Sequence, residues 1–255
     1  MHYRRVPDDR LFELPYDPAW GYGKRFFLDV EHRYTKMHRL VRERYGDLAG
    51  KRIVDLGLSR GLLLERFRRY PGAELGGIEI DPSEIERARA RGLGPRQHFV
   101  NVFDGNVMTA RLPYDDASAD LVLAGEILEH VVDTEGFLRE IHRTLAPGGA
   151  VVLSTPNIFW AKNRVRLLMG RYPDALEYRS RYGADFGHVR IFGPDQLHEL
   201  LGETGFTDVE VIGNRIGPIS TLASVPRAVA VALDRLADRY PSGSETLIAF
   251  ARRSD

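Results

Sequence analysis

The stretch Lys51 to Gly61, KRIVDLGLSRG, constrains the fold of this chain more than any other. Ile53, Val54 and Leu56 form a short apolar run of the kind buried in a sheet, and Gly57, Ser59 and Gly61 then turn the chain. Leu62 to Phe67 takes up a helical period. A strand, a turn of small residues and a helix start bring backbone N–H groups close to a ligand. The turn does not satisfy the dinucleotide fingerprint G-x-G-x-x-G: counting from Gly57, the third residue is Ser59 and the sixth is Leu62.

Around this stretch, strand and helix patterns alternate. A helical face at about 28–45 precedes the first strand at 52–56, and the helix after the turn runs to about Tyr70, closed by Pro71-Gly72. Leu75–Ile80 reads as a second strand, and Asp81-Pro82-Ser83-Glu84 as a helix start with acids near its positive end. Further strands are expected at 98–102, 119–124, 150–154, 206–212 and 246–251. Helices are expected from the Asp133-Thr134 cap to about Leu145, at 194–204, and around Val229–Leu236, with a turn at Pro147-Gly148-Gly149. This is an α/β order: a Rossmann-like, seven-stranded, mostly parallel sheet with helices on both faces. Residues 1–50 form an N-terminal cap segment and helix, and 51–255 the main domain. Segments 157–193 and 213–243 are insertions, after strand five and between strands six and seven.

In such a sheet ligands bind beyond the carboxyl ends of the strands. Those ends carry Gly57–Gly61, Glu79, the 104–108 loop, Glu126–His130 and Thr155–Asn157, so the chemistry converges on one rim. Composition narrows that chemistry. The chain has no cysteine, which excludes disulfides, thiolate metal sites and cysteine nucleophiles. Basic and acidic residues balance at 36 each, so no global field draws the protein toward nucleic acid. No signal-peptide core and no run of 18 apolar residues is present, and a cytoplasmic protein without a transmembrane segment is expected.

Several of these stretches resemble, in order, the motifs of class I S-adenosylmethionine (SAM) methyltransferases. Residues 55–61 are similar to their D-x-G-x-G-x-G loop, with Ser59 for the middle glycine, and Glu79 stands where the family places an acid for the ribose hydroxyls. LPYDDASADLV (112–122), EILEHVVD (126–133), LAPGGAVVLSTPN (145–157) and HVRIFGPDQLHELLGETGF (188–206) resemble four later family segments. The resemblance implies that Asp55, Gly57, Leu58, Ser59, Gly61, Glu79, Ile80, Asn106, Val107 and Glu126 hold SAM. Asn106 would meet the adenine amino group, with Asp104 and Met108 as rivals, and Ser59 is harmless provided its φ is not forced positive.

For the reaction, Glu126, Glu129 and His130 have i, i+3, i+4 spacing, which places them on one face of a helical turn. This E-x-x-E-H is similar to the metal motif of ubiquinone-pathway O-methyltransferases and small-RNA 2′-O-methyltransferases, with His188 as the later histidine that completes it. Three roles stay open: a divalent site (Mg, Mn or Zn) of Glu126, Glu129, His130 and His188; catalysis by Glu126, His130 and His188 with a histidine as base; or loop support. Arg33 is placed either on the cofactor's carboxylate or in a surface salt bridge. The insertions are expected to cap the substrate. Arginines interleaved with aromatics at 160–190 suit an anionic or sugar-bearing small-molecule acceptor, or else form a solvated face. The helix near 222–238 is read as core packing, with a lid, a homodimer surface or a membrane-surface element as its other roles. The implied function is methyl transfer to a small-molecule hydroxyl in a biosynthetic pathway (natural-product, glycan or quinone-like). N-methylation, RNA 2′-O-methylation and non-catalytic SAM binding are the alternatives. Nucleic acid is disfavoured because Ala124-Gly-Glu-Ile stands where an N-P-P-Y motif would.

Overall fold

The computed structural model describes Leu14 and residues 17–21, 23–79, 81–93, 111–174, 176, 187–217 and 224–254. Its strands are β1 (Arg52–Leu56), β2 (Glu74–Ile78), β3 (Ala119–Gly125), β4 (Leu145–Pro156), β5 (Phe206–Gly213) and β6 (Thr246–Arg253). They lie in one sheet in the order β2-β1-β3-β4-β6-β5, parallel except for β6, which runs antiparallel to both β4 and β5. Six strands are thus present among the described residues. The expected strand at 98–102 lies outside them.

Alternation along the strands sorts side chains to two faces, because successive Cβ atoms point to opposite sides of a sheet. Ile53, Leu121, Leu123, Val152, Ile248 and Phe250 face one side, packed with Met37, Leu40 and Val41 of helix α1 (Lys24–Arg44). Val122, Ala124, Val151, Leu153, Leu247 and Ala249 face the other. There they meet Leu138 and Ile141 of α3 (Thr134–Thr144) and Leu197 and Leu201 of α5 (Pro194–Glu203). Helix α2 (Pro82–Ala90) is started by Asp81, whose carboxylate accepts the Ser83 N–H at 2.7 Å. Asp133 starts α3 in the same way through the Gly136 N–H at 2.9 Å.

Three local expectations change. The helix after the glycine turn is a 3-10 segment, Leu64–Arg69. The Arg66 guanidinium donates to the Leu62 carbonyl, the acceptor an α-helix would use, and the Arg66 N–H turns to Leu63 O at 3.3 Å. Pro147-Gly148-Gly149 is a bulge inside β4 rather than a turn before it: Leu145 pairs with Ala119 and Ala150 with Leu121, so 146–149 loop out of register. The first insertion also contains a helix, α4 (Ala161–Leu168), where the sequence reading assigns no element.

The second insertion carries α6 (Arg227–Arg239), and one face of it is buried as expected, but around a carboxylate. Asp234 is buried, with His32 Nε2 at 3.0 Å, Lys36 Nζ at 3.1 Å and Arg39 Nη1 at 3.0 Å, all from α1. Lys36 also donates to the carbonyls of Gly213 and Asn214 at 2.7 and 2.9 Å. Burial works against the Asp234 charge, yet His32, Lys36 and Arg39 outweigh it and hold the carboxyl well below its ordinary range. Burial likewise lowers the His32 pKa from its ordinary 6.5, against the pull of Asp234. Both groups bind protons more readily unfolded, so stability falls as pH falls: first below 6.5 through His32, then below 3.8 through Asp234. The thermal midpoint, followed by scanning fluorimetry, should decline from pH 7 to 5. A flat profile would show that this network adds no pH-linked stability.

Candidate active site

The order of strands reverses between β1 and β3, with β2 on one side and β4 on the other, and the crevice beyond their carboxyl ends is the natural ligand site. The β1 turn is built for close approach. Gly57 and Gly61 have φ of 70° and 77°, and a Cβ on Gly61 would stand 1.9 Å from Leu93 Cδ1. Ser59 is at φ 48°, so the condition under which it replaces glycine without cost fails, and the strain is about 1–2 kcal/mol. Glu79, just past β2, offsets it: its carboxylate accepts the Ser59 N–H at 2.6 Å and the Asp81 N–H at 3.0 Å. A carboxylate has about four acceptor positions, so capacity for a cis-diol remains. The Leu58 N–H donates to Ile78 O at 2.9 Å, tying the loop to β2. Asp55 is buried beneath the turn, and burial, then Glu79, pushes its carboxyl well above the ordinary range. Ile80, Asn106, Val107 and the rivals Asp104 and Met108 lie outside the described residues.

At the end of β3 the motif splits. Glu126 takes φ 57°, so it does not share a helical turn with Glu129 and His130; the short 3-10 segment begins only at Leu128. Its carboxylate accepts from Ser154 Oγ at 2.9 Å and faces Arg33 Nη1 at 3.6 Å. Arg33 is therefore buried rather than on the surface, and it stands 5.4 Å over the Tyr34 ring. Burial opposes its charge, but Glu126, Tyr34 and Asp29 hold it firmly protonated. Its signal was in the sequence: Arg33 falls three residues after Val30 and four before Met37, on the inward stripe of α1.

Glu129 points elsewhere. It is fully buried, accepting from Thr155 Oγ1 at 3.1 Å, while its Oε1 has no hydrogen-bond donor among the described residues and lies 3.9 Å from His188 Nε2. The His188 segment is fixed there because the N–H groups of Val189 and Arg190 donate to Glu129 O. The His130 and His188 rings meet edge to face, 4.7 Å apart. One ligand atom from each of Glu129, His130 and His188 lies within 4.8 Å of the others. Of the four expected ligands, these three converge and Glu126 does not join them. An orphaned carboxylate oxygen and two imidazoles fit a borderline divalent ion with an open coordination position, after a contraction of about 1–1.5 Å. Burial, then Glu126, pushes the Glu129 carboxyl well above the ordinary range, so a cation there would draw off its proton.

Glu126, Arg33 and His188 line a chamber of about 420 Å³, whose far wall includes Trp160 and Asn157. An outer cleft of about 1050 Å³, with Phe26, Asp29, Trp160, Lys162 and Glu245 common to both linings, lies between the start of α1, the start of α4 and Arg215. Both insertions thus contribute walls. The arginines of the first insertion do not: Arg164 donates to Phe159 O, Arg166 to Tyr172 O and Arg190 to Val132 O, each at 2.7 Å, and these bonds hold the backbone. Arg179 and Arg181 lie outside the described residues. Lys24, Arg25, Asp29, Arg215 and Glu245 were not expected from the sequence, because no motif connects residues about 190 to 220 positions apart. Among the described residues no helix is long and apolar enough to cross a membrane.

Residues 30–211 match a family described as a methyltransferase domain. The chain is 30% identical over 198 residues to a "Probable S-adenosylmethionine-dependent methyltransferase" of Mycobacterium tuberculosis, covering 75% of this chain and 62% of that protein. It is 34% identical over 173 residues to a ubiquinone biosynthesis O-methyltransferase of Bradyrhizobium diazoefficiens, covering 68% and 65%. The chain thus spans less than two thirds of the length of these relatives. A SAM-dependent methyltransferase structure from Thermotoga maritima shares the fold, with TM-score 0.59 at 18% identity over 91% of this chain and 94% of that one.

Proposed function

The chain belongs to the SAM-dependent methyltransferases, and from that premise we propose that it transfers the SAM methyl group to a hydroxyl oxygen of a small molecule held in the inner chamber. One observation carries the proposal: Glu126, just past the carboxyl end of β3, lines one chamber with Arg33 of α1, His188, and Pro156 and Asn157 at the carboxyl end of β4. Methyl transfer from a sulfonium is an in-line displacement, so holding nucleophile and methyl in line supplies much of the acceleration. The acceptor O–H must also lose its proton. His188 faces the chamber with Glu129 behind it, an arrangement that lets the imidazole take that proton as the O–C bond forms and the C–S bond breaks. The products are the methyl ether, the neutral thioether of the cofactor and an imidazolium beside Glu129. Arg33, with its Nη1 3.6 Å from the carboxylate, holds Glu126 at the chamber wall.

Asp55, Gly57, Leu58, Ser59, Gly61 and Glu79 form the cofactor half of this reading, supported by the loop geometry. The insertions 157–193 and 213–243 cap the acceptor half. Purified protein should bind isotope-labelled SAM at micromolar concentration; no binding would overturn the reading.

The Glu129, His130 and His188 cluster favours a metal-assisted form of the same reaction. These residues would hold a divalent ion, which when bound lowers the pKa of a hydroxyl by Lewis acidity. Chelation should then abolish turnover, and magnesium, manganese or zinc should restore it. Turnover indifferent to chelator would leave His188 as an unassisted base.

A further inference from the structure

Helix α4 (Ala161–Leu168) is turned inside out. The residue it buries is Asn163, whose amide donates to Asn157 O at 3.2 Å and accepts the Asp174 N–H at 2.8 Å. Its large apolar residues point the other way: Val165 is 55% exposed, Leu168 88% and Met169, just past the helix end, 58%. An α-helix turns by about 100° per residue, so these three form one stripe opposite Asn163, with Arg164 and Arg166 on its two sides. Leu167, Phe159 and Tyr172 add to the exposed apolar surface. A stripe of this spacing ordinarily faces a core.

The outward pose is braced. Arg166 donates to Tyr172 O at 2.7 Å and pairs with Asp174 at 3.2 Å, and Arg164 donates to Phe159 O at 2.7 Å and to Ser242 O at 3.3 Å. The helix closes at Gly170, φ 66°, whose N–H donates to Leu167 O at 2.9 Å, and the Arg171 N–H returns to Arg166 O at 2.8 Å. Polar bonds on the inner side thus hold the apolar tip at Leu168–Met169 outward.

Charge selects what can cover this face. From Phe159 to Pro173 the chain carries Lys162, Arg164, Arg166 and Arg171 and no acid, in a protein whose total charges balance at 36 and 36. Asp174 pairs with Lys162 and Arg166, and one carboxylate against four cations leaves the segment positive. A second copy packed on the same stripe would set its own arginines against these. A bilayer with anionic headgroups satisfies both parts: the apolar side chains enter the acyl boundary while the flanking guanidiniums stay at the level of the phosphates.

We propose that α4 and the tip that follows it dock this protein on the surface of an anionic bilayer. Trp160, Ala161 and Lys162, at the start of the same helix, line the outer cleft, so docking brings that cleft beside the lipid surface. The proposal does not depend on the methyl-transfer reading.

Sedimentation of the full chain with phosphatidylcholine vesicles, with and without phosphatidylglycerol, tests it. Expected are binding to the phosphatidylglycerol vesicles that weakens with added salt, and binding at least about tenfold weaker to phosphatidylcholine alone. The Leu168→Glu/Met169→Glu double variant should bind the anionic vesicles at least about tenfold more weakly, because two apolar anchors become charges of the headgroups' own sign. Both positions are exposed, so an unchanged thermal midpoint is expected and reports that the variant is folded. No sedimentation with anionic vesicles, or equal sedimentation of both proteins, overturns the docking surface. Equal binding to the two kinds of vesicle overturns the choice of an anionic surface. Self-association of the wild type in analytical ultracentrifugation, lost in the variant and without vesicle binding, gives the stripe to a second copy and overturns the proposal.

Discussion

Glu79→Ala should weaken SAM binding by about two orders of magnitude while leaving the sheet intact. The carboxylate that steadies Ser59 and Asp81 through their N–H groups retains acceptor capacity for the ribose diol. Each hydrogen bond to a charged group contributes about 1.5–3 kcal/mol, so losing two costs about 3 kcal/mol or more, a factor of at least about 10² in Kd. Glu79→Gln keeps one acceptor oxygen and should fall between the two. Titration calorimetry with SAM measures both, and circular dichroism checks the fold. Equal affinity in wild type and Glu79→Ala would remove Glu79 from the cofactor site and weaken the assignment of the whole β1 turn.

Asp234→Ala should be the most damaging single change to stability, at about 3–5 kcal/mol, because removing one partner of a buried ion pair leaves the others uncompensated. Among the described residues, Lys36, 2% exposed, would keep only Asp238 and its backbone carbonyls, and Arg39 only Asp238 and Glu43 as acidic partners. His32 would lose the carboxylate 3.0 Å from its Nε2. Urea denaturation reads the loss as a lower midpoint at similar slope. A change under about 1 kcal/mol would mean that apolar packing of Ala230 and Ala237, not the ion network, holds α6. The loss concerns α6 and α1, so SAM binding well below the midpoint should persist.

The layered sheet was readable because it is written in local periods. Alternation in Leu121–Ala124 and Val151–Leu153 sends neighbours to opposite faces, and the i, i+3, i+4 stripe of α1 meets one of them. The glycine turn and the carboxylate after β2 were readable too: Asp55, Gly57, Ser59, Gly61 and Glu79 sit at strand ends, where backbone geometry restricts the residue types that fit. The cost at Ser59 was not, since whether a serine sits at positive φ depends on the bond from its N–H to Glu79, twenty residues on.

The acceptor half shows where local reading stops. Spacing alone put Glu126, Glu129 and His130 on one face, but the φ of 57° at Glu126 rotates its carboxylate to Arg33 while Glu129 goes to Thr155. The arginine-rich insertion drew attention as an anion site, yet its Arg164, Arg166 and Arg190 hold backbone carbonyls, and Lys24 and Arg25 line the outer cleft instead. By itself, then, the sequence determined a glycine turn after a buried strand, a two-faced sheet and a carboxylate at the end of β2, because each depends on residues within a few positions. Tertiary structure alone decided that Arg33 is buried against Glu126, that His188 meets Glu129 and His130, and that Lys24, Arg25 and Arg215 border one cleft. Those meetings join residues about 60 to nearly 200 positions apart, and a side chain's direction is fixed only once the backbone that bears it has been packed.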